Sequence, residues 1–293
     1  MTDIKEKTIL ITGGTSGIGR ETAVGLAKMG AHVVVTGRNE ERGEAGVSDI
    51  KARSGSEKVD LLLADMSSMA EVRRLAARFT EKYDRLDVLI NNVGLVATER
   101  WETVDGYEAM LAVNVLAPML LTHELLPILK QNAPSRVIFV TGGQLTDGSI
   151  DFDDLQAEKS FLSLDTYSHA KRVMMAGVYA FAQRVEGTGV SINAAYPGAA
   201  NTNMTADLKP DSVPQPIRLL FPLFKWFMSK QDPANAAVSS IYLASSPEAE
   251  GVSGAYYSQK AKQIAWPAKS ADLSDRVWEV TMQMSGVETP ITT

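Results

Sequence analysis

The chain has 293 residues, 45% hydrophobic and 22% charged, with a formal net charge of −6, a composition that suits a globular protein with a sizeable core and excludes a disordered one. Acidity without any basic cluster argues against nucleic acid or an anionic membrane surface as the main partner. There is no cysteine, which excludes disulfides, thiolate nucleophiles and cysteine metal sites; His32, His123 and His169 have no metal-ligand spacing and read as structural.

The start, Met1 to Lys7, has no apolar run and leads straight into a predicted strand, so no secretory signal and a cytoplasmic location are expected. Short β-branched runs then alternate with longer helical patterns. The predicted strands are Thr8 to Thr12, His32 to Thr36, Val59 to Leu63, Leu86 to Ile90, Arg136 to Val140 and Val190 to Ala194. Between them, stretches such as Gly19 to Gly30 and Ala70 to Tyr83 carry apolar residues at helical spacing, with Gly30 as a helix end. This rhythm predicts an α/β fold, a Rossmann-type doubly wound parallel sheet in a single domain spanning 1–293.

After Pro197 and Gly198 the pattern breaks into a proline-rich stretch, read as a substrate lid around 199–232. Within it, Ile217 to Met228 is taken as the most apolar segment, as lid, core or interface. It is far shorter than the ~20 residues that span a bilayer, so no transmembrane segment is expected. A helix from Pro233 to Ser245, a last strand from Gly254 to Ser258 and a terminal helix from Asp272 to Met284 follow, the last in a C-terminal extension around 259–293.

Two motifs carry chemistry. The run Thr12-Gly13-Gly14-Thr15-Ser16-Gly17-Ile18-Gly19 follows the first strand and opens the first helix. There Gly13 permits a tight turn, Gly17 lets backbone approach a pyrophosphate and Gly19 allows close packing, while the helix N-terminus offers N–H groups to phosphate. At the end of the second strand stand Arg38 and Asn39 instead of an acid, which favours the 2′-phosphate of NADP(H) over NAD(H). Further on, Tyr167 and Lys171 are four residues apart, on one face of a predicted helix. A lysine ammonium there favours the ionised phenol and draws the tyrosine down toward the range of a working acid.

Taken in order, these motifs resemble the short-chain dehydrogenase/reductase family over essentially the whole chain. Asp65, followed by Met66, matches its adenine-contacting acid; Asn91-Asn92-Val93-Gly94 its fourth-strand motif; Asn114 its helix asparagine; Tyr167 and Lys171 its catalytic pair; and Pro197, Gly198 and Thr202 its nicotinamide-side loop. Ile150 to Gln156, Arg184 to Val190 and the C-terminal extension resemble the retinol-dehydrogenase-like branch. The resemblance implies a Rossmann fold, NADP(H) and an apolar small-molecule substrate. Tyr167 would then be the proton donor, Lys171 would hold the nicotinamide ribose, and Asn114 would position Lys171. Thr15, Ser16, Ile18, Asn92 and Gly94 fall among the cofactor contacts.

One family position departs from the pattern. A serine is expected 25 residues before Tyr167, and Gly142 stands there, with Thr141 before it. Thr141 is named as a replacement hydroxyl, Gln144 as an amide donor, and a self-polarising substrate as the third explanation. The expected function is therefore NADPH-dependent reduction of a carbonyl in a medium-sized apolar substrate. Atypical chemistry on the same cofactor, such as C=C or C=N reduction, cyclisation or epimerisation, and a catalytically silent NADPH-binding protein stand as alternatives. A homo-oligomer is left open.

Overall fold

The computed structural model describes residues 4–142, 149–198, 210, 221, 232–266 and 270–287. The elements in order are β1 (Thr8–Ile11), α1 (Gly17–Lys28), β2 (His32–Gly37), α2 (Glu40–Ser54), β3 (Val59–Leu63), α3 (Met69–Lys82), β4 (Val88–Asn91), α4 (Ala109–Gln131), β5 (Ser135–Val140), α5 (Ser163–Arg184), β6 (Val190–Ala195), α6 (Pro233–Ser245), β7 (Tyr256–Tyr257), β8 (Gln263–Ile264) and α7 (Ala271–Met284). They build one eight-stranded sheet in the order β3-β2-β1-β4-β5-β6-β7-β8. Every pair is parallel except β7 with β8. Strand order reverses between β1 and β4, which opens a crevice at the carboxyl ends where ligands bind in such sheets.

The strands are buried on both faces, so they read as continuous apolar runs. Leu10, Val34, Leu89, Val137 and Phe139 face one core shared with α3, α4, α5 and α7. Their neighbours Ile9, Ile11, Val33, Val35, Ile90 and Ile138 face a second core with α1, α2 and α6. Alternation of side chains across each strand sends the two sets to opposite faces. The antiparallel β8 is an addition to the expected strands.

The longest apolar stretch is α4, 23 residues long and about nine-tenths buried. It passes a length and composition test for a membrane span, but here it is a core helix. Of the expected lid, only Pro210, Phe221 and Asp232 are among the described residues; Thr202, Gly143 and Gln144 lie outside them.

Candidate active site

The glycine-rich turn is bonded to both neighbouring strands. The Thr12 hydroxyl accepts from the Asn92 and Val93 backbone N–H groups at 3.0 and 3.2 Å. The Asn92 amide donates to the Thr12 and Gly13 carbonyls at 3.0 and 3.3 Å, and Gly13 N–H donates to the Thr36 hydroxyl at 3.1 Å. Gly13 and Gly17 have φ of 64° and 53°, a region that L side chains rarely adopt. At Gly19 an added Cβ would lie 2.5 Å from the Gly13 carbonyl oxygen, so helix and turn meet at a contact only glycine permits.

α2, α3, α6 and α7 start with a side-chain cap, from Asn39, Ser68, Asp232 and Ser270 respectively. α1 does not: Ser16 makes no side-chain cap bond and the first turn holds no acid. Its leading N–H groups thus remain available for an anion. Asn39 spends its side chain on capping Arg42 N–H at 2.9 Å, whereas Arg38 is exposed at the end of β2 and has no ion-pair partner among the described residues. Asp65 folds back, accepting from the Ser67 N–H and hydroxyl at 2.9 and 2.8 Å; Met66 beside it is buried. Gly94 is exposed just beyond β4. On the far side, Gly198 has a φ of 72° and an added Cβ would meet the Gln259 side chain at 2.5 Å. Pro197 before it is buried.

Asn114 sits in a π turn (Ala112–Leu116) inside α4, a local widening that recurs at functional sites. Its amide is bidentate on one residue: Oδ1 accepts from Leu95 N–H at 3.0 Å and Nδ2 donates to Leu95 O at 2.9 Å. Its side chain therefore fixes the loop after β4, a job the sequence did not suggest, and makes no direct contact with Lys171.

Tyr167 and Lys171 lie on one face of α5, both buried. Lys171 Nζ is 5.7 Å from the Tyr167 ring centre and donates to Val140 O at 3.3 Å. Burial pushes the lysine down to about 8. Burial also pushes the Tyr167 phenol up, with the neighbouring Tyr196 acting in the same direction. This corrects the expectation that Lys171 draws the phenol down: the cost of holding a charged phenolate away from water outweighs the pull of an ammonium that is itself desolvated.

The Tyr167 hydroxyl has no hydrogen-bond partner among the described residues; Tyr167 forms a small apolar cluster with Ala97 and Met110, against which Leu95, Val96 and Phe161 pack. Phe221 packs on Val96 and Leu164 at the same place. Thr141 donates its hydroxyl to Ala195 O at 3.2 Å and lies beside Tyr256, so it is held against β6 and not at the Tyr167 hydroxyl. That placement argues against Thr141 as the replacement donor. At Gly142 an added Cβ would stand only 2.3 Å from the Tyr167 hydroxyl oxygen. His169 accepts from Asp151 N–H and His32 pairs with Asp60, both in structural contacts.

Sequence reasoning passed over Gln259 and a row of aromatic rings on this side: Tyr196 to Tyr256 at 6.5 Å, Tyr256 to Trp266 at 6.0 Å and Trp266 to Tyr179 at 5.8 Å. Their only signal was the position of Tyr196 immediately before Pro197.

A family model for short chain dehydrogenases matches residues 7–213. Retinol dehydrogenase 14 of Homo sapiens is 35% identical, over 96% of this chain and 87% of that protein. Polyprenol dehydrogenase of Homo sapiens is 32% identical, over 96% and 86%. Among solved structures, an uncharacterised protein from Mycobacterium paratuberculosis superposes with a TM-score of 0.75 at 25% identity, covering 99% of this chain and 97% of that one. The NADP complex of RhlG from Pseudomonas aeruginosa shares the fold, with a TM-score of 0.70 at 24% identity over 89% and 98%. With this turn, this helix pair and these relatives, the chain belongs to the short-chain dehydrogenase/reductase family of NAD(P)-dependent oxidoreductases, in its retinol-dehydrogenase-like branch.

Proposed function

We propose that this protein uses NADP(H) to reduce a carbonyl group in a medium-sized apolar substrate, with Tyr167 as the proton donor. The observation that carries this reading is the unpartnered Tyr167 hydroxyl set among Leu95, Val96, Ala97, Met110 and Phe161. A buried phenol stays protonated at neutral pH, the form required of an acid in the reducing direction. The apolar surround suits a hydrophobic substrate, and retinol and polyprenols, which name the relatives, are long apolar alcohols.

The residues present fit a dinucleotide. The uncapped start of α1 and the bend at Gly13 and Gly17 would hold the pyrophosphate, Arg38 the 2′-phosphate, Asp65 and Met66 the adenine, and Pro197 and Gly198 the nicotinamide side. When bound, the cofactor supplies a hydride. Lys171 would hold the ribose, Tyr167 would give its proton to the substrate oxygen, and Asn114 fixes the Leu95 loop.

Gly142 takes the place where the family carries a serine, and the Thr141 hydroxyl is held on Ala195. This favours a second reading on the same site, reduction of an activated C=C or C=N bond. Oxidation of NADPH and of NADH over apolar ketones, aldehydes, enones and cyclic imines tests both. Tyr167→Phe is expected to lower carbonyl turnover at least ~10²-fold while leaving NADPH binding intact, and Arg38→Asp to weaken NADPH relative to NADH. Turnover that survives Tyr167→Phe overturns the donor assignment. NADPH binding without turnover of any compound supports a silent binder.

A further inference from the structure

With the Tyr167 phenol where it stands, a side chain at 142 would require the phenol to shift. A Cβ built on Gly142 lies 2.3 Å from the Tyr167 hydroxyl oxygen and 3.4 Å from the carbon that bears it. Packed carbon and oxygen atoms keep at least about 3 Å apart, and buried cores yield little. The phenol therefore occupies the space that a side chain at the end of β5 would need. Around it, Leu95, Val96, Ala97, Met110 and Phe161 present carbon, Thr141 is bonded to Ala195 O, and Asn114 to Leu95. Among the described residues, none of these gives a second hydroxyl or amide to an oxygen that meets Tyr167.

We propose that Gly142 determines specificity: it admits the Tyr167 hydroxyl to the end of β5 and, among the described residues lining that end, leaves the acceptor oxygen with Tyr167 as its donor, matching the site to carbonyls already polarised by conjugation or an adjacent carbonyl rather than to plain ketones. This rests on Tyr167 as the proton donor. In the step itself, the carbonyl carbon would gain the hydride that a bound reduced nicotinamide supplies, while the C=O π pair moves onto oxygen. That oxygen takes the proton from Tyr167, and the phenolate regains one from solvent by way of Lys171. Charge gathers on oxygen before the proton arrives, because a phenol pushed up by burial is a weak acid. One absent oxyanion donor slows such a step by about 10² to 10³. An acceptor that spreads the charge over a conjugated or neighbouring carbonyl loses less.

The test uses a long-chain methyl ketone and the 1,2-diketone of the same skeleton, with rates normalised to borohydride reduction of each. Wild-type protein is expected to favour the diketone about 10²-fold in normalised kcat/KM; a normalised ratio near one overturns the proposal without recourse to any variant. Gly142→Ser, which adds a hydroxyl, is expected to shift that ratio toward the plain ketone by about 10-fold or more, whereas Gly142→Ala, which adds only the Cβ, should lower kcat on both ketones with the ratio unchanged. Equal ratios in the serine and alanine variants overturn it.

A readout without cofactor is the near-ultraviolet difference spectrum of Tyr167 at neutral pH, obtained as wild type minus Tyr167→Phe. It should change in Gly142→Ala as the phenol is displaced, and an unchanged spectrum also counts against the close contact. The two readings fail separately. Turnover surviving Tyr167→Phe removes the donor assignment. A dead Tyr167→Phe variant combined with a normalised ratio near one removes only the role of Gly142.

Discussion

At Lys171 the site trades stability for chemistry. Among the described residues the ammonium is bonded to Val140 O at 3.3 Å and the Met174 sulfur at 3.9 Å, with no carboxylate beside it, and burial lowers it from 10.5 to about 8. The unfolded chain consequently binds more protons than the folded one between about pH 8 and 10.5, and stability contributed by this residue rises with pH across that window. Below it the penalty for holding a buried cation is fully present. Lys171→Met, similar in volume and without charge, is expected to be more stable at pH 7 by up to roughly 3 kcal/mol, with the gain fading toward pH 10.5. Urea melts at pH 7 and pH 10 measure this, and a variant no more stable than wild type at pH 7 would show that the charge is better solvated than its burial implies. Reductase turnover should fall in the same variant.

Among elements, the junction of β1, α1 and β4 leaves no room for a side chain at Gly19. Gly19→Ala would drive a Cβ to within 2.5 Å of the Gly13 carbonyl oxygen and the Asn92 amide, which are themselves joined by the Asn92 hydrogen bonds. The expected result is a loss of about 1–3 kcal/mol together with weaker NADPH binding, read by urea unfolding and by cofactor fluorescence; unaltered binding would mean that the turn is not the pyrophosphate cradle.

Much of this scale was legible in the chain. The strands from Thr8 to Ala195 announce themselves as β-branched runs, and four-residue spacing puts Tyr167 with Lys171. Other features depend on distant packing. The π turn at Asn114 breaks the 3.6-residue period on which helix patterns rest. The direction of the Tyr167 shift depends on exclusion of water by Leu95, Val96 and Met110, which no local spacing encodes. The Thr141 hydroxyl was open between two faces until β6 came alongside, and Gln259 reaches Gly198 only through the return of the C-terminal extension.

For the molecule as a whole, that extension braces α5, the helix that carries Tyr167 and Lys171. α7 lies along α5, with Trp278 edge-on to Phe181 at 5.0 Å, Arg184 over the Trp278 ring at 4.7 Å and Arg184 bonded to Asp275 at 2.8 Å. The end of α7 is pinned by Arg73 on Ser285 O and Gly286 O and by Tyr107 on Met284 O. Trp278→Ala should cost about 3–5 kcal/mol and speed hydrogen exchange in α5, Tyr167 included. Unchanged exchange there would make α7 a cover without mechanical influence on the site.

The sheet also ends in a way that bears on solubility. Among the described residues β8 is the one antiparallel strand of the sheet, two exposed residues long, and exposed Lys260 and Lys262 precede it. A row of free backbone groups on a sheet edge is a template for stacking onto another chain, and a short, lysine-flanked strand offers few such groups and surrounds them with like charge. At the opposite edge β3 carries Asp60, held by Tyr83 and His32. The same open sheet that gives the cofactor its crevice thus meets solvent at each end with charge, which discourages edge-to-edge aggregation.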